Sequence, residues 1–302
     1  YIAIRRPMKT PEAGTEVFTP STANRNTTIN VGFPLDLWIG LNRDSTTPNM
    51  LSARLTNTWL QTQSTAAEEA GVSSWWTLQN SFVNNSFGDT TRIEYLLRRA
   101  PGFMDLVAFT GNNSAPHTIP HNLTVAPQLI IVKRRDGPEI WPVYAEPIGA
   151  SNYLALDRTW AGDPTTIWGT PTTSNFIVKG GFGEINRNNA KYIAYLFASL
   201  AGVSCVSSYS GTGGNVNVDC GFSAGARFIL IKRTDSTGDW YVWDSVRGIS
   251  AGNDPYLLLN NTAAEVTNTD YIDPLASGFT VTSTAPAALN ASGGTYIFLA
   301  IA

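Results

Sequence analysis

Arg227-Phe228-Ile229-Leu230-Ile231-Lys232 is an apolar run that stops near Asp235, and the same statement occurs twice more in the chain. Gln128-Leu129-Ile130-Ile131-Val132-Lys133 runs toward Asp136, and Asp36-Leu37-Trp38-Ile39-Gly40-Leu41 toward Asp44. Outward from these runs the agreement continues. Leu60, Leu154 and Leu257 each open a second run and are followed five residues later by Thr65, Thr159 and Thr262. Seventeen residues further on stand Phe82, Phe176 and Phe279. Each copy closes on an apolar run with aromatics, Ile93 to Leu97, Tyr192 to Phe197 and Tyr296 to Ile301. Three identical spacings define a tandem repeat, which must be found before the fold is read.

The repeat predicts modules at residues 17–107, 108–207 and 208–302, with 1–16 as the end of a preceding module, since Tyr1-Ile2-Ala3-Ile4 resembles the closing run and begins without Met. Within a module, short runs of apolar and β-branched residues alternate with Gly, Pro, Asn and Asp at intervals of about ten residues, which is the pattern of a sandwich or barrel. Only 14% of residues are charged and 11% are aromatic. The expected fold is all-β: three tandem β-sandwich, jelly-roll-like modules of about 95 residues. Little helix is expected, at most a turn or two at Thr65 to Ala70 and Thr262 to Glu265. Whether the modules lie end to end or side by side is left open, because units of this size can each carry a core of their own.

Composition excludes several functions. A net charge of -3 offers no footprint for a phosphate backbone, so nucleic acid is not expected as a partner. No apolar stretch is long enough for a spanning helix, so membrane insertion is not expected. His117 and His121 are four apart in a Pro-broken segment with no third ligand, which predicts hydrogen bonding and no metal. Asp44, Asp136 and Asp235 recur at a strand end, where Asp closes turns with its own side chain. Asp157, Asp244 and Glu265 have no evident carboxylate partner of the kind a glycosidase needs. Gly180-Gly181-Phe182-Gly183 lacks the lysine of a phosphate loop and reads as a turn. No enzyme, metal or cofactor is expected.

Two features remain. Cys205 and Cys220 flank Gly211-Thr212-Gly213-Gly214, and a hairpin there would set the sulfurs face to face, as a staple, a redox pair or two small apolar side chains, the last being favoured. The nine tryptophans divide by context. Trp38, Trp141, Trp240 and Trp243 stand in repeated strands and are expected in the core. Trp75, Trp76, Trp160 and Trp168 stand in copy-specific, turn-rich segments and are the candidate receptor or subunit contacts.

His121-Asn122-Leu123, Ala126-Pro127-Gln128-Leu129-Ile130-Ile131-Val132-Lys133-Arg134, the run Gly238 to Gly248 and Tyr296 to Ala302 resemble an uncharacterised repeat of tail fibre and minor tail proteins of tailed phages. The resemblance covers the second and third copies, and the first only through spacing; there the tryptophan-containing strand is replaced near Leu51 to Arg54. It implies a virion location, assembly in a host cytoplasm, other tail proteins and copies of the same chain as partners, by analogy a trimer, and attachment to a host-surface glycan or protein. The rival expectations are a purely structural spacer of the virion and a polysaccharide-degrading tailspike.

Overall fold

In the computed structural model of the chain, residues 8–22, 27–44, 47–70, 81–83, 91–180 and 182–302 are described, 81–83 by their backbone alone. The chain is all-β. Module 1 holds β1 (Phe18–Ser21), β2 (Thr28–Asn30), β3 (Leu37–Asn42), β4 (Met50–Ala53), β5 (Thr58–Gln61), β6 (Glu69–Ala70), β7 (Ser81–Val83) and β8 (Arg92–Leu97). Module 2 holds β9 (Met104–Thr110), β10 (His117–Pro120), β11 (Leu129–Arg134), β12 (Pro142–Ala145), β13 (Leu154–Ala155), β14 (Trp168–Gly169), β15 (Asn175–Val178) and β16 (Lys191–Phe197). Module 3 holds β17 (Ser204–Ser210), β18 (Val216–Asp219), β19 (Phe228–Arg233), β20 (Trp240–Asp244), β21 (Leu257–Leu258), β22 (Ile272–Leu275), β23 (Gly278–Val281) and β24 (Thr295–Ile301).

Each module is a sandwich of two antiparallel sheets with one recurring topology. The larger sheets run β1-β8-β3-β4-β5-β6, β9-β16-β11-β12-β13 and β17-β24-β19-β20-β21; the smaller ones pair β2 with β7, β10-β15-β14 and β18-β23-β22. Strands one, eight and three set against two and seven are paired as in a jelly roll. The fourth and fifth strands instead widen the larger sheet.

The closing strands show why their sequences are apolar without interruption. Along β24, Tyr296, Phe298 and Ala300 face the module's own smaller sheet, in a cluster with Trp243 and Phe279. Ile297, Leu299 and Ile301 face the other way, into a cluster drawn from all three modules that includes Leu37, Tyr95, Ile131, Tyr195, Phe228 and Leu230. Side chains alternate across a strand, so a sheet buried on both faces needs apolar residues at every position. The modules are therefore not independent beads: their larger sheets close around one common core, and a cavity of about 40 Å³ at its centre is lined only by apolar side chains of all three. Each buried Leu or Ile adds roughly 1.5–3 kcal/mol, so much of a module's stabilisation comes from its neighbours.

Two expectations are corrected. The opening strands begin at Met104 and Ser204, so boundaries at 107/108 and 207/208 cut β9 and β17. The chain crosses between modules in the tight turns just before, where Gly102 and Gly202 adopt φ of +76° and +71° and Ala100 and Leu200 bridge to Met104 and Ser204. Module 1 is entered instead through a 3-10 turn at Gly14–Glu16, and a Cβ on Gly14 would stand 1.8 Å from the Ala302 carbonyl oxygen. Glycine is needed there because the first module meets the last. Thr65 to Ala70 is extended and ends in β6, because the Thr65 carbonyl is taken up by module 2. Single helical turns lie instead at Gly183–Asn186 and Ala287–Asn290. There Asn186 and Asn290 are buried and bind loop backbone, and the Tyr192 and Tyr296 hydroxyls donate to the Gly183 and Ala287 carbonyls. The closing run at Tyr1 to Ile4 lies outside the described residues.

Candidate functional site

The joints between modules position everything that follows, and they are built from the repeated residues. In each joint the third residue after the repeated threonine donates its backbone N–H to the next module's strand end: Glu68 to the Arg135 carbonyl, Gly162 to Thr234 and Glu265 to Arg43, each at 2.8 Å. The ring thus closes from module 3 back to module 1. In the first two joints a buried lysine repeats as well. Lys133 Nζ donates to the Thr65 and Glu139 carbonyls at 2.7 and 2.8 Å, and Lys232 Nζ to the Thr159 and Gly238 carbonyls. Neither lysine reaches solvent, and burial pushes both down to about 8. Beside them Trp141 and Trp240 donate their indole N–H to the Ser64 and Ala155 carbonyls at 2.9 Å. Thr65 and Thr159 are thus backbone acceptors at their joints.

Of the recurring aspartates, Asp136 and Asp235 close turns with their side chains, whereas at Asp44 it is the backbone N–H that donates to the Asn42 side chain. Asp136 accepts the Lys191 N–H and pairs with Arg134; Asp235 accepts the Thr295 N–H and pairs with Arg233, which holds it down to about 2. His117 bonds Asn186 at 2.9 Å, and His121 the Thr172 carbonyl at 3.1 Å. Among the described residues no three His, Cys, Asp or Glu side chains group as a metal site would require, and no helix is long and apolar enough to cross a membrane. Cys205 and Cys220 are free thiols. They do not face each other across a hairpin, because β17 and β18 belong to different sheets. They meet between the sheets, where the Cys220 thiol favours ionisation of Cys205 and is itself pushed up.

The four candidate tryptophans separate. Trp75 and Trp76 lie outside the described residues. Trp168 is corrected: it is 1% exposed, set edge-on to Tyr144 in the core of module 2, because β14 adds a third strand to the smaller sheet and turns the ring inward. Turn-rich flanks hid that short strand from the sequence. Trp160 is 46% exposed, with the Arg158 guanidinium 5.6 Å from its ring centroid and Asp157 holding that guanidinium at 2.9 Å. It follows the repeated Thr159, where modules 1 and 3 carry Ala66 and Ala263.

The joint that carries Trp160 also opens a groove of about 170 Å³. Its walls are Pro147 and Ile148 of module 2 and the ends of β17 and β24 in module 3. The groove is not legible in the sequence, since its residues come from four separate segments. A cleft of about 340 Å³ between modules 1 and 2, lined by Asp36, Arg54, Leu55, Arg99 and Leu106, is charged by contrast. The described residues thus form a class defined by its fold alone, a closed ring of three β-sandwich modules. The chain belongs to the family of a domain of unknown function, DUF7483, whose profile matches residues 42–302. No curated protein matches it.

Proposed function

We propose that the chain is a non-enzymatic attachment module of a phage tail that holds a host-surface glycan at the joint between modules 2 and 3. The reading is carried by Trp160, the position at which this joint departs from the repeat to expose an indole on a rigid frame. An indole face stacks against the C–H face of a sugar, and Arg158, already held by Asp157, fixes the ring's orientation in advance. Pre-ordering of this kind lowers the cost of binding. The resemblance to tail fibre repeats supplies the location, and assembly of several copies would add weak contacts through effective concentration.

The test is binding of the labelled chain to host cells and to an array of their surface glycans, beside a folded Trp160→Ala variant. Saturable binding that falls at least tenfold in the variant supports attachment. Binding that is absent, or equal in the two proteins, overturns it and favours the spacer reading, to which the burial of Trp168 already lends weight.

A further inference from the structure

The inner face of module 3 changes character along its opening strand. Paired across β17 and β24 stand Val206 with Leu299, then Ser208 with Ile297, then Ser210 with Thr295. The first pair belongs to the common core, while Ser208, Ser210 and Thr295 are exposed. Where the core reaches the mouth of the joint, its lining therefore passes from aliphatic to hydroxyl. Ile148 of module 2 supplies an apolar wall opposite.

The strand's backbone is open at the same place. β17 is the edge of its sheet. Val206 turns its N–H and carbonyl outward, and both are taken by the Ser199 hydroxyl at 2.9 and 3.2 Å. By the alternation of an antiparallel ladder, Ser208 and Ser210 turn theirs outward too. Among the described residues nothing receives them, and neither serine hydroxyl has a partner. In module 1, Pro20 stands at the position of Val206 and has no N–H, and Arg227 caps the Phe18 carbonyl at 3.2 Å.

We propose that this groove is the subsite for one uncharged hexose of a glycan whose neighbouring residue stacks on Trp160; the proposal deepens the attachment reading and rests on it. Unpaired hydroxyls, outward backbone groups and an apolar wall fit a ring with hydroxyls on its rim and C–H groups on its face. No ionisable acid or base lines the groove apart from tyrosine, so nothing there would repay the desolvation of a sugar carboxylate. An added β-strand fits less well. The 3-10 turn Glu146–Ile148 brings Cα atoms within 8 Å of β17, and a strand laid between them would need about 9.5 Å, twice the interstrand spacing. Platform and groove are coupled, because the loop bearing Trp160 is tied through Gly162 to Thr234, whose hydroxyl meets that of Thr295 at 2.6 Å.

The experiment is saturation-transfer NMR and titration of the purified chain with glucose, galactose, N-acetylglucosamine and glucuronic acid. Ser210→Phe, which fills the groove from an exposed edge, and Thr295→Val, which removes one hydroxyl, are tested alongside. A neutral hexose should bind saturably, with glucuronic acid at least tenfold weaker, and binding should fall at least tenfold in Ser210→Phe and about threefold in Thr295→Val. Equal binding of glucuronic acid, or neutral-sugar binding unchanged in both variants, overturns the groove. Attachment of the chain to cells without binding of any free neutral hexose also overturns the groove, and leaves the attachment reading standing.

Discussion

The joint between modules 1 and 2 and the joint between modules 3 and 1 share a backbone hydrogen bond and an arginine–glutamate pair, Arg135 with Glu68 at 2.7 Å and Arg43 with Glu265 at 3.0 Å, but little else of their side-chain chemistry. In the first, Lys133 and Trp141 carry the contact. In the closing joint the lysine's place is taken by Leu41, and Asn49 replaces the tryptophan, donating to the Leu258 and Asn261 carbonyls at 2.9 and 2.8 Å. A buried charge network does the rest. Arg247, wholly enclosed, binds Asp244 and Glu265, and Tyr95 donates to Asp244 at 2.9 Å. The modules of the first joint are consecutive in the chain, whereas those of the closing joint must find each other across it. Directional charge pairs specify that docking in a way an apolar contact would not.

The largest effect is expected from Arg247→Met. It leaves Asp244 and Glu265 buried without their common partner, and breaking such a pair costs about 3–5 kcal/mol. Chemical denaturation should show that loss, and hydrogen exchange should show the first opening at β1 and β20. A global loss with no preference for those strands would mean that the three joints are equivalent. Trp141→Asn rebuilds the first joint in the image of the third, and the lost burial should cost about 3 kcal/mol. A cost under about 1 kcal/mol would show that asparagine serves equally in either joint.

Alkaline pH should separate the joints without mutation. Lys133 and Lys232 release their protons near 8 when folded and near 10.5 when unfolded. Between those values the unfolded chain binds more protons, so stability rises with pH, by at most about 1.4 kcal/mol per unit for each lysine. Above pH 10 the buried tyrosines, whose pKa values are raised by burial, reverse the trend. Denaturation midpoints at pH 7.5, 8.5 and 9.5 check the rise, and Lys232→Met should halve its slope. The smallest effect is expected from Arg43→Ala, whose partly exposed pair with Glu265 is worth about 1 kcal/mol or less. Its cost should shrink further in 0.5 M salt; a cost that persists would mark Arg43 as part of the buried network.

Much of this architecture was legible in the residues. The three Phe-Ile-Leu-Ile-like runs are β3, β11 and β19, the closing runs are β8, β16 and β24, and Phe82, Phe176 and Phe279 fall in β7, β15 and β23. Strand periodicity and spacing are local and survive repetition. The candidate site was legible only in part: Trp160 is on the surface, but a strand of two residues is too short to show a period, and Trp168 went inward with it.

By itself the sequence determined the number of modules, their strands and which tryptophans pack in the repeated positions, because alternation and turn chemistry act between residues close in the chain. Only the tertiary structure decided that the modules share a core, that Lys133 and Lys232 are buried, and that Pro147, Ser208 and Thr295 border one groove. The closing strands are apolar on both faces, and that pattern says only that each face is covered. Which surface covers it depends on contacts between residues a hundred or more positions apart, and those exist only once the ring has closed.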